Sequence, residues 1–429
     1  MSVPIYLQYE PSSSTIVNYR PKRWSDVPPK RLVLPIKEGA APIKNTASPN
    51  YSLGLYPAYS ASGQDVWLPF ASYRFSGLVL SAVGARCGKT FLANGEWSVV
   101  ANTQVLKPKD IGSQKYWWYV MNMPDWWETG GAAQPYVLVS KTLSRKWPTP
   151  PVDEQIKIAR YLDYKNYQIN KYIRIKKRQI ELLKELKQTI INDAVTGKID
   201  VRTGKPYPKY KDSGVDWLGK IPQEWDLARI GKLVRFNPSK SEATKQVTDT
   251  TLCTFIPMEK LSVTGIVDCS VKLPMQQVKT GFTYFKRNDI VLAKITPCFE
   301  NGKSAYLDSL DSEFGFGTTE FIVLRITGHI HGKYLWHIIS SPTFLKFGKK
   351  SMRGAAGQQR VPIDFVSEYP IALPSLLHQE EILTYLSINL KSIDNMIAIL
   401  DSQSQYAQEL QTRLISDVVT GKIDVRYIE

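Results

Sequence analysis

Cysteine is scarce in this sequence, and the residues present form no recognisable pair. The four cysteines among 429 residues, Cys87, Cys253, Cys269 and Cys298, are scattered without a CxxC spacing. This argues against a disulfide framework or a thiolate zinc site, and it suits a reducing compartment. We interpret the four residues as small buried hydrophobes.

Long apolar runs are also missing. No run approaches the roughly 20 residues needed to span a bilayer, and the start MSVPIYLQYEPSSS lacks the charged and apolar regions of a signal peptide. We therefore expect a cytoplasmic protein that does not enter a membrane. A composition of 43% hydrophobic and 22% charged residues is typical of soluble proteins, and the length allows two or three domains.

Signatures of catalysis are absent as well. GARCGKT at 84–90 has three residues between its glycines, where a phosphate-binding P-loop needs four. NPSK at 237–240 is not the Asn-Pro-Pro-aromatic tetrad of amino-methyltransferases, and His329 and His331 lack a nearby third metal ligand. The sequence predicts a non-catalytic chain with no metal and no cofactor of its own.

Positive charge is what the sequence has in excess. Lys and Arg number 55 against 39 Asp and Glu, which gives a net charge of +16 and a pI near 9.4. Such a balance favours a polyanionic partner, either nucleic acid or an anionic surface.

The octet VTGKIDVR occurs at Val195–Arg202 and again at Val419–Arg426. Read backward from the octets, the chain matches itself without a gap over some fifty residues, at an offset of 224 positions. A gap-free match of this length indicates a rigid element that does not tolerate insertions. The repeat is therefore a whole module.

Apolar spacing identifies each copy as a long helix. The residues recur at alternating intervals of three and four, as in the seam of a coiled coil. They are Ile169, Ile173, Ile180, Leu183, Ile190 and Ala194 in the first copy, and Ile393, Ile397, Leu400, Ala407, Leu414 and Val418 in the second.

The ends and charges of the two helices are also informative. Prolines lie just upstream, and Gly197 and Gly421 follow the last periodic residue, where glycine favours a left-handed cap. The first copy carries a net charge of +5 and the second −3, so pairing with each other is favoured over self-association. The Lys and Arg residues that give the first helix its positive charge form either a binding surface or only a solvated helix face.

The segments before each helix have mixed patterns that predict globular domains. The two globular segments share weak sequence similarity. The best match is GGAAQPYV at 130–137 with GAAGQQRV at 354–361. We predict an alternation of globule and helix, with bounds at 1–148, 149–202, 203–372 and 373–429.

Together these features resemble the specificity subunit of a type I restriction-modification system. The resemblance rests on Pro-x-x-x-x-Gln-x-x-Ile, a long helix, Glu-Leu and the octet, repeated after two variable globules. DSGVDWLGKIPQEW at 212–225, AKITPCFENGK, FGTTEF and GAAGQQRVP in the second globule are also typical of that family.

The resemblance implies an α+β fold with two α/β target recognition domains, separated by two long helices packed as an antiparallel coiled coil with a pseudo-two-fold repeat. It further implies a non-catalytic subunit that reads a bipartite site on double-stranded DNA. Two methyltransferase subunits, which bring S-adenosylmethionine, and ATP-driven restriction subunits would dock on it.

Candidate DNA-binding residues come mainly from the two matching loops. Arg, Gln and Asn suit base edges, whereas Lys and Arg suit phosphates. The base-edge candidates are Arg353, Gln358, Gln359 and Arg360, with first-domain counterparts Gln134 and Tyr136. The phosphate candidates are Arg86, Lys89, Lys294, Thr296 and Lys303. The alternative is a turn whose glutamine only bonds backbone.

A different class of function also fits the pattern. The chain would then be a coiled-coil scaffold or adaptor whose globules bind protein, with its positive charge serving solubility. Steep salt dependence of binding to duplex DNA distinguishes the two, because only phosphate contacts release counterions.

Overall fold

The computed structural model describes residues 5–38, 47–244, 247–355 and 357–427. The chain divides into two compact units, which we call unit 1 (Met1–Lys177 with Asp401–Glu429) and unit 2 (Arg178–Leu400). This division differs from the sequence-based domain bounds because part of each long helix belongs to each unit. Those bounds stay a prediction.

Short strands dominate the chain before the first long helix. They are β1 (Tyr9–Pro11), β2 (Tyr19–Pro21), β3 (Ser25–Val27), β4 (Val33–Glu38), β5 (Tyr56–Ser60), β6 (Gly63–Leu68), β7 (Gly77–Ser81), β8 (Thr90–Ala93), β9 (Ser98–Val99), β10 (Thr103–Pro108), β11 (Thr129–Gly130), β12 (Tyr136–Val137) and β13 (Trp147–Thr149). The helices of this part are α1 (Gln114–Met121), α2 (Val139–Ser144) and the long α3 (Val152–Val195).

The chain after α3 repeats this composition. Its strands are β14 (Tyr210–Asp212), β15 (Lys220–Pro222), β16 (Asp226–Arg229), β17 (Val234–Phe236), β18 (Leu252–Ile256), β19 (Lys272–Pro274), β20 (Thr283–Lys286), β21 (Ile290–Ala293), β22 (Ser304–Tyr306), β23 (Phe314–Gly317), β24 (Phe321–Ile326) and β25 (Pro370–Leu373). Its helices are α4 (Ser241–Thr244), α5 (Met275–Val278), α6 (Gly332–Ile339), α7 (Pro342–Ser351), α8 (Ile363–Glu368) and α9 (Leu376–Val419).

Unit 1 is organised around a four-stranded sheet in the order β4-β10-β7-β8, with antiparallel neighbours throughout. Its largest core cluster contains the buried tryptophans Trp24, Trp117 and Trp147, together with Ile158 and Leu162 from α3. These indoles pack within the core of the unit. A second sheet, β6-β5-β9, and the two-stranded sheets β1-β2, β11-β12 and β13-β3 also belong to the unit.

Unit 2 has a sheet of the same design, in the order β17-β24-β21-β22. Trp225 and Tyr334 lie in its main core cluster, which also contains Ile382 and Leu386 from α9. A second four-stranded sheet, β19-β18-β23-β20, accompanies it. Mixed helices and sheets in both units confirm the predicted α+β class and the internal repeat.

The two long helices run antiparallel in each unit. In unit 1, Gln411 donates to Asn166 at 3.1 Å and Tyr172 donates to Gln403 at 3.4 Å. In unit 2, the Lys187 ammonium contacts Asp394 at 2.7 Å. Every seam residue predicted from the periodicity is buried or half-buried, which confirms the coiled-coil pattern. Among the helices in the described ranges, none is long and apolar enough to cross a membrane.

The repeated octet builds the same helix end twice. Gly197 and Gly421 adopt φ values of +73° and +77°, and the next amide bonds back to Asp193 or Asp417 at 3.0 and 2.8 Å. This is the Schellman type of C-terminal cap. Farther along, Asp200 and Asp424 each accept a 2.8 Å bond from the arginine two residues later. The octet recurs because each unit docks one helix end in this way.

We expect Gly197→Ala to destabilise unit 2 strongly. A Cβ there would lie 2.4 Å from the Pro222 Cδ at a φ of +73°, whereas Gly204 combines a φ of +69° with open space. Gly204→Ala therefore carries only the backbone penalty, about 1 kcal/mol. Gly197→Ala adds overpacking, for a total of about 2–4 kcal/mol. Urea unfolding measures both, and equal losses would contradict the docking role of Gly197.

Candidate nucleic-acid interface

In unit 2, the structure brings two of the predicted segments together at the end of strand β21. The Thr296 amide donates to the Gln359 carbonyl at 2.9 Å, and the Val361 amide donates to the Lys294 carbonyl at 2.8 Å. The Gln359 amide also donates to the Thr296 hydroxyl at 3.1 Å. Residues 294–296 and 359–361 therefore form one paired loop surface.

Arg353 and Arg360 close the Gly/Ala-rich loop. Each amide donates to the other residue's carbonyl, at 3.0 and 2.8 Å, so the backbone returns on itself between them. Gln358 is exposed on this loop and Gln359 is half-buried. The backbone pairing holds the exposed side chains on a supported loop.

The Arg360 guanidinium is held by Glu320. Its Nε donates to Oε2 at 2.9 Å and its Nη2 donates to Oε1 at 2.8 Å. The hydrogen bond from Arg360 lowers the pKa of Glu320, and the nearby charge of Lys294 acts in the same direction. The Arg360 side chain nevertheless keeps 45% of its surface exposed.

The Lys303 ammonium is engaged within the protein. It donates to the Met258 carbonyl at 2.8 Å, and the residue is half-buried, as Lys294 is. The Thr296 hydroxyl is likewise engaged by the Gln359 amide. These two polar groups therefore support the fold of the loop surface, and their assignment to phosphate contacts stays a prediction.

Unit 1 has the same backbone pairing between the turn after β7 and the segment around β12. We call this pairing of two loop segments the frame. The Gly84 amide donates to the Pro135 carbonyl at 2.8 Å, and the Val137 amide donates to the Ala82 carbonyl at 2.9 Å. These are the counterparts of the bonds made by Thr296 and Val361 in unit 2. The loop match seen in the sequence therefore corresponds to an equivalent backbone arrangement.

The predicted residues of unit 1 lie on or beside this frame. Gln134 and Tyr136 are exposed, and Tyr136 occupies the position that Arg360 has in unit 2. Arg86 and Lys89 are exposed in the turn that follows residue 84, and the Arg86 guanidinium contacts the Ser62 carbonyl at 3.4 Å. All four residues are exposed.

Two residues of this frame were missed by sequence reasoning. The Lys294 amide donates to the Glu320 carbonyl at 2.8 Å, and the Ala82 amide donates to the Asn102 carbonyl at 2.8 Å. Glu320 and Asn102 are therefore equivalent positions. FGTTEF was a recognised stretch that contains Glu320, whereas no local sequence signal points to Asn102, because its partner lies across the sheet.

A metal site is not part of this surface. In the ranges that the structure describes, no three His, Cys, Asp or Glu side chains come together to hold a metal ion. His331 instead caps helix α6, where its ring accepts from the Lys333 amide at 3.2 Å. The chemistry available on both frames is hydrogen bonding and positive charge.

Comparison with known proteins identifies relatives of the chain. Residues 33–185 match the model of the type I restriction modification DNA specificity domain. The chain is 32% identical over 252 residues to the type I restriction enzyme EcoAI specificity subunit of Escherichia coli, covering 58% of this chain and 41% of that protein. It is 23% identical over 369 residues to the type I restriction enzyme MjaVIII specificity subunit of Methanocaldococcus jannaschii, covering 80% and 78%. The match thus spans about two fifths of the E. coli protein.

Solved structures share the fold. One chain, from a study of complex assembly and conformational transition of the type I R-M system, superposes with a TM-score of 0.67 at 12% identity, covering 94% of this chain and 99% of the other. The HsdS subunit from Thermoanaerobacter tengcongensis gives a TM-score of 0.52 at 14% identity, covering 94% and 98%. At these identities the comparison speaks for the fold alone.

We expect two arginines of unit 2 to differ sharply in their contribution to stability. Arg325 is 17% exposed and pairs with the buried Asp289 at 2.7 Å and with Glu242 at 2.6 Å. Arg325→Ala leaves a buried carboxylate unpaired and lowers the free energy of unfolding by about 3–5 kcal/mol. Arg360→Ala removes an exposed pair and leaves the urea midpoint nearly unchanged. Comparable losses would make Arg360 a stabilising residue instead of a binding residue.

Proposed function

We propose, from the premise that this chain belongs to the type I restriction-modification DNA specificity family, that it is the DNA target recognition subunit of such a system. Each unit reads one half of a bipartite duplex sequence. The chain itself is non-catalytic and acts in the cytoplasm, and partner subunits supply methylation and cleavage.

One observation carries this proposal. Both units present the same frame of three backbone hydrogen bonds, yet different side chains occupy its equivalent positions, which are exposed except for the half-buried Glu320. Tyr136 in unit 1 corresponds to Arg360 in unit 2, and Asn102 corresponds to Glu320. A constant frame with variable polar side chains suits two readers of different base sequences, because base edges are distinguished by their donors and acceptors.

The long helices suit the role of a spacer. Each contains 44 residues, which at 1.5 Å per residue corresponds to about 66 Å. We propose that helix length sets the number of unread base pairs between the half-sites. Duplex DNA repeats about every 34 Å, so we expect a change in helix length to change the spacing between half-sites that the chain selects.

Exposed apolar residues on the helices suit partner docking. They recur at the same offset of 224 as the core of the repeat, so each unit carries an equivalent set. Unit 1 exposes Tyr164, Ile175, Tyr406 and Leu410, and unit 2 exposes Ile388, Ile399, Leu182 and Leu186. Equivalent faces suit two identical partners. We propose that two methyltransferase subunits bind there, and that restriction subunits join the resulting assembly.

The docking proposal predicts a change of stoichiometry. Leu186→Glu places a charge on the apolar face of unit 2, so we expect one methyltransferase subunit to be lost and one retained. Leu410→Glu acts on the equivalent face of unit 1, and the double variant loses both subunits. Native mass spectrometry of the co-expressed complex measures this. Gln188→Glu, at an exposed polar position, is the control; an unchanged 2:1 complex in the Leu variants would reject the assignment.

The DNA-binding proposal predicts salt-dependent affinity. Phosphate contacts release counterions, so the logarithm of the binding constant should fall linearly with the logarithm of salt concentration. Lys294→Ala should weaken binding to all duplexes and reduce that slope by about one. Lys303→Ala is the matched comparison, and we expect a smaller change in slope because its ammonium already bonds the Met258 carbonyl. A salt-independent affinity would favour the scaffold alternative.

A further inference from the structure

Glu320 occupies only one edge of the Arg360 guanidinium. The bonds at 2.9 and 2.8 Å use the Nε and Nη2 groups, and a further bond of 3.3 Å runs from Nη1 to the Gln358 carbonyl. Within the described residues, Nη1 and Nη2 each keep one N–H for which no protein acceptor is found, and the side chain is 45% exposed. An arginine held in this way loses little further rotational freedom when it binds a ligand, because its plane is already fixed.

The free end of the guanidinium matches a particular base. Two parallel N–H donors pair with the O6 and N7 acceptors that guanine presents in the major groove. Adenine offers N7 beside an amino donor, so it cannot accept both bonds. The surroundings are also suitable, since Lys294 adds positive charge beside Glu320 and Gln358 is exposed on the same loop.

We infer that Glu320 is a positioning residue that restricts Arg360 to guanine in the half-site read by unit 2. The inference rests on the proposed function and goes beyond it by naming the base and the residue that enforces the choice. Glu320 acts through Arg360: it holds the guanidinium plane and opposes the rotation that would let the arginine contact other acceptors.

The equivalent position in unit 1 supports a role in specificity. Asn102 is exposed and holds the same backbone bond, with its carbonyl accepting from Ala82 at 2.8 Å. Tyr136, which pairs with Val83 as Arg360 pairs with Ile295, has no guanidinium to position. Unit 1 therefore lacks this arginine reader at its frame, and the guanine restriction should apply to one half-site only.

The test uses the 429-residue chain and a library of duplexes with two randomised windows. Bound duplexes are sequenced, and the guanine-to-adenine ratio is taken at each position. For the wild-type chain we expect one position in one half-site with a guanine preference of about tenfold or more. Glu320→Gln should reduce that preference to a few-fold while leaving other positions unchanged, and Glu320→Asp should retain part of it.

Arg360→Ala should abolish the preference at the same position, and the double variant Glu320→Gln with Arg360→Ala should be no worse than Arg360→Ala alone, because the two residues act as one unit. Glu368→Gln, which breaks the exposed pair with Arg229, is the control and should change nothing. A merely structural Glu320 would alter affinity without altering base preference.

The outcomes separate this inference from the proposed function. If Glu320→Gln keeps the guanine preference while Arg360→Ala loses it, Arg360 reads the base without help and the positioning role is wrong. If both variants keep it, Arg360 does not read guanine. If the wild-type chain selects no sequence at all, the proposed function itself fails and this inference fails with it.

Discussion

The fold of each unit depends on contacts that hold the ends of the long helices in its hydrophobic core. In unit 2 the Tyr334 hydroxyl contacts the Val195 carbonyl at 3.0 Å and the Ala372 carbonyl at 3.1 Å, so the last turn of α3 and strand β25 meet at one buried phenol. In unit 1, Val418 and Val419 lie in the same cluster as Trp24 and Ile158. Because one helix start and one helix end share each core, the sheet that carries the loop surface has a fixed orientation on its own helix pair.

The two units share this architecture but differ in the buried polar side chain at one equivalent helix position. Glu154 is fully buried in unit 1, where it accepts hydrogen bonds from the Tyr6 hydroxyl and, at 3.0 Å, from the Trp24 indole, and forms an ion pair with Arg23 at 3.1 Å. The repeat places His378 at the corresponding position, and its ring contacts the Tyr207 hydroxyl at 2.9 Å. Burial lowers the pKa of His378, so the neutral ring is favoured. A carboxylate paired with an arginine in unit 1 and an imidazole in contact with a phenol in unit 2 thus support the same backbone.

Local patterns predicted the long helices, their glycine caps and their seam, because those features depend on residues three to eight positions apart. The Glu320 and Arg360 pair was not predictable in the same way, since it joins the start of β24 to a loop forty residues later. Asn102 was missed because the repeat is gap-free only in the helices; insertions shift the globules, so that Ala82 corresponds to Lys294 although Tyr136 corresponds to Arg360. The engagement of Lys303 by Met258 is likewise a tertiary contact.

The exposed apolar positions of the helices have a consequence for how the chain is produced. Tyr406 and Ile388 keep 68% and 67% of their surface in water, and each unit displays its own set. Copies of the chain whose exposed apolar residues stay uncovered would contact one another through these residues and associate. If methyltransferase subunits bind these residues as proposed, balanced synthesis of the chain and those subunits is needed to keep the exposed apolar positions covered.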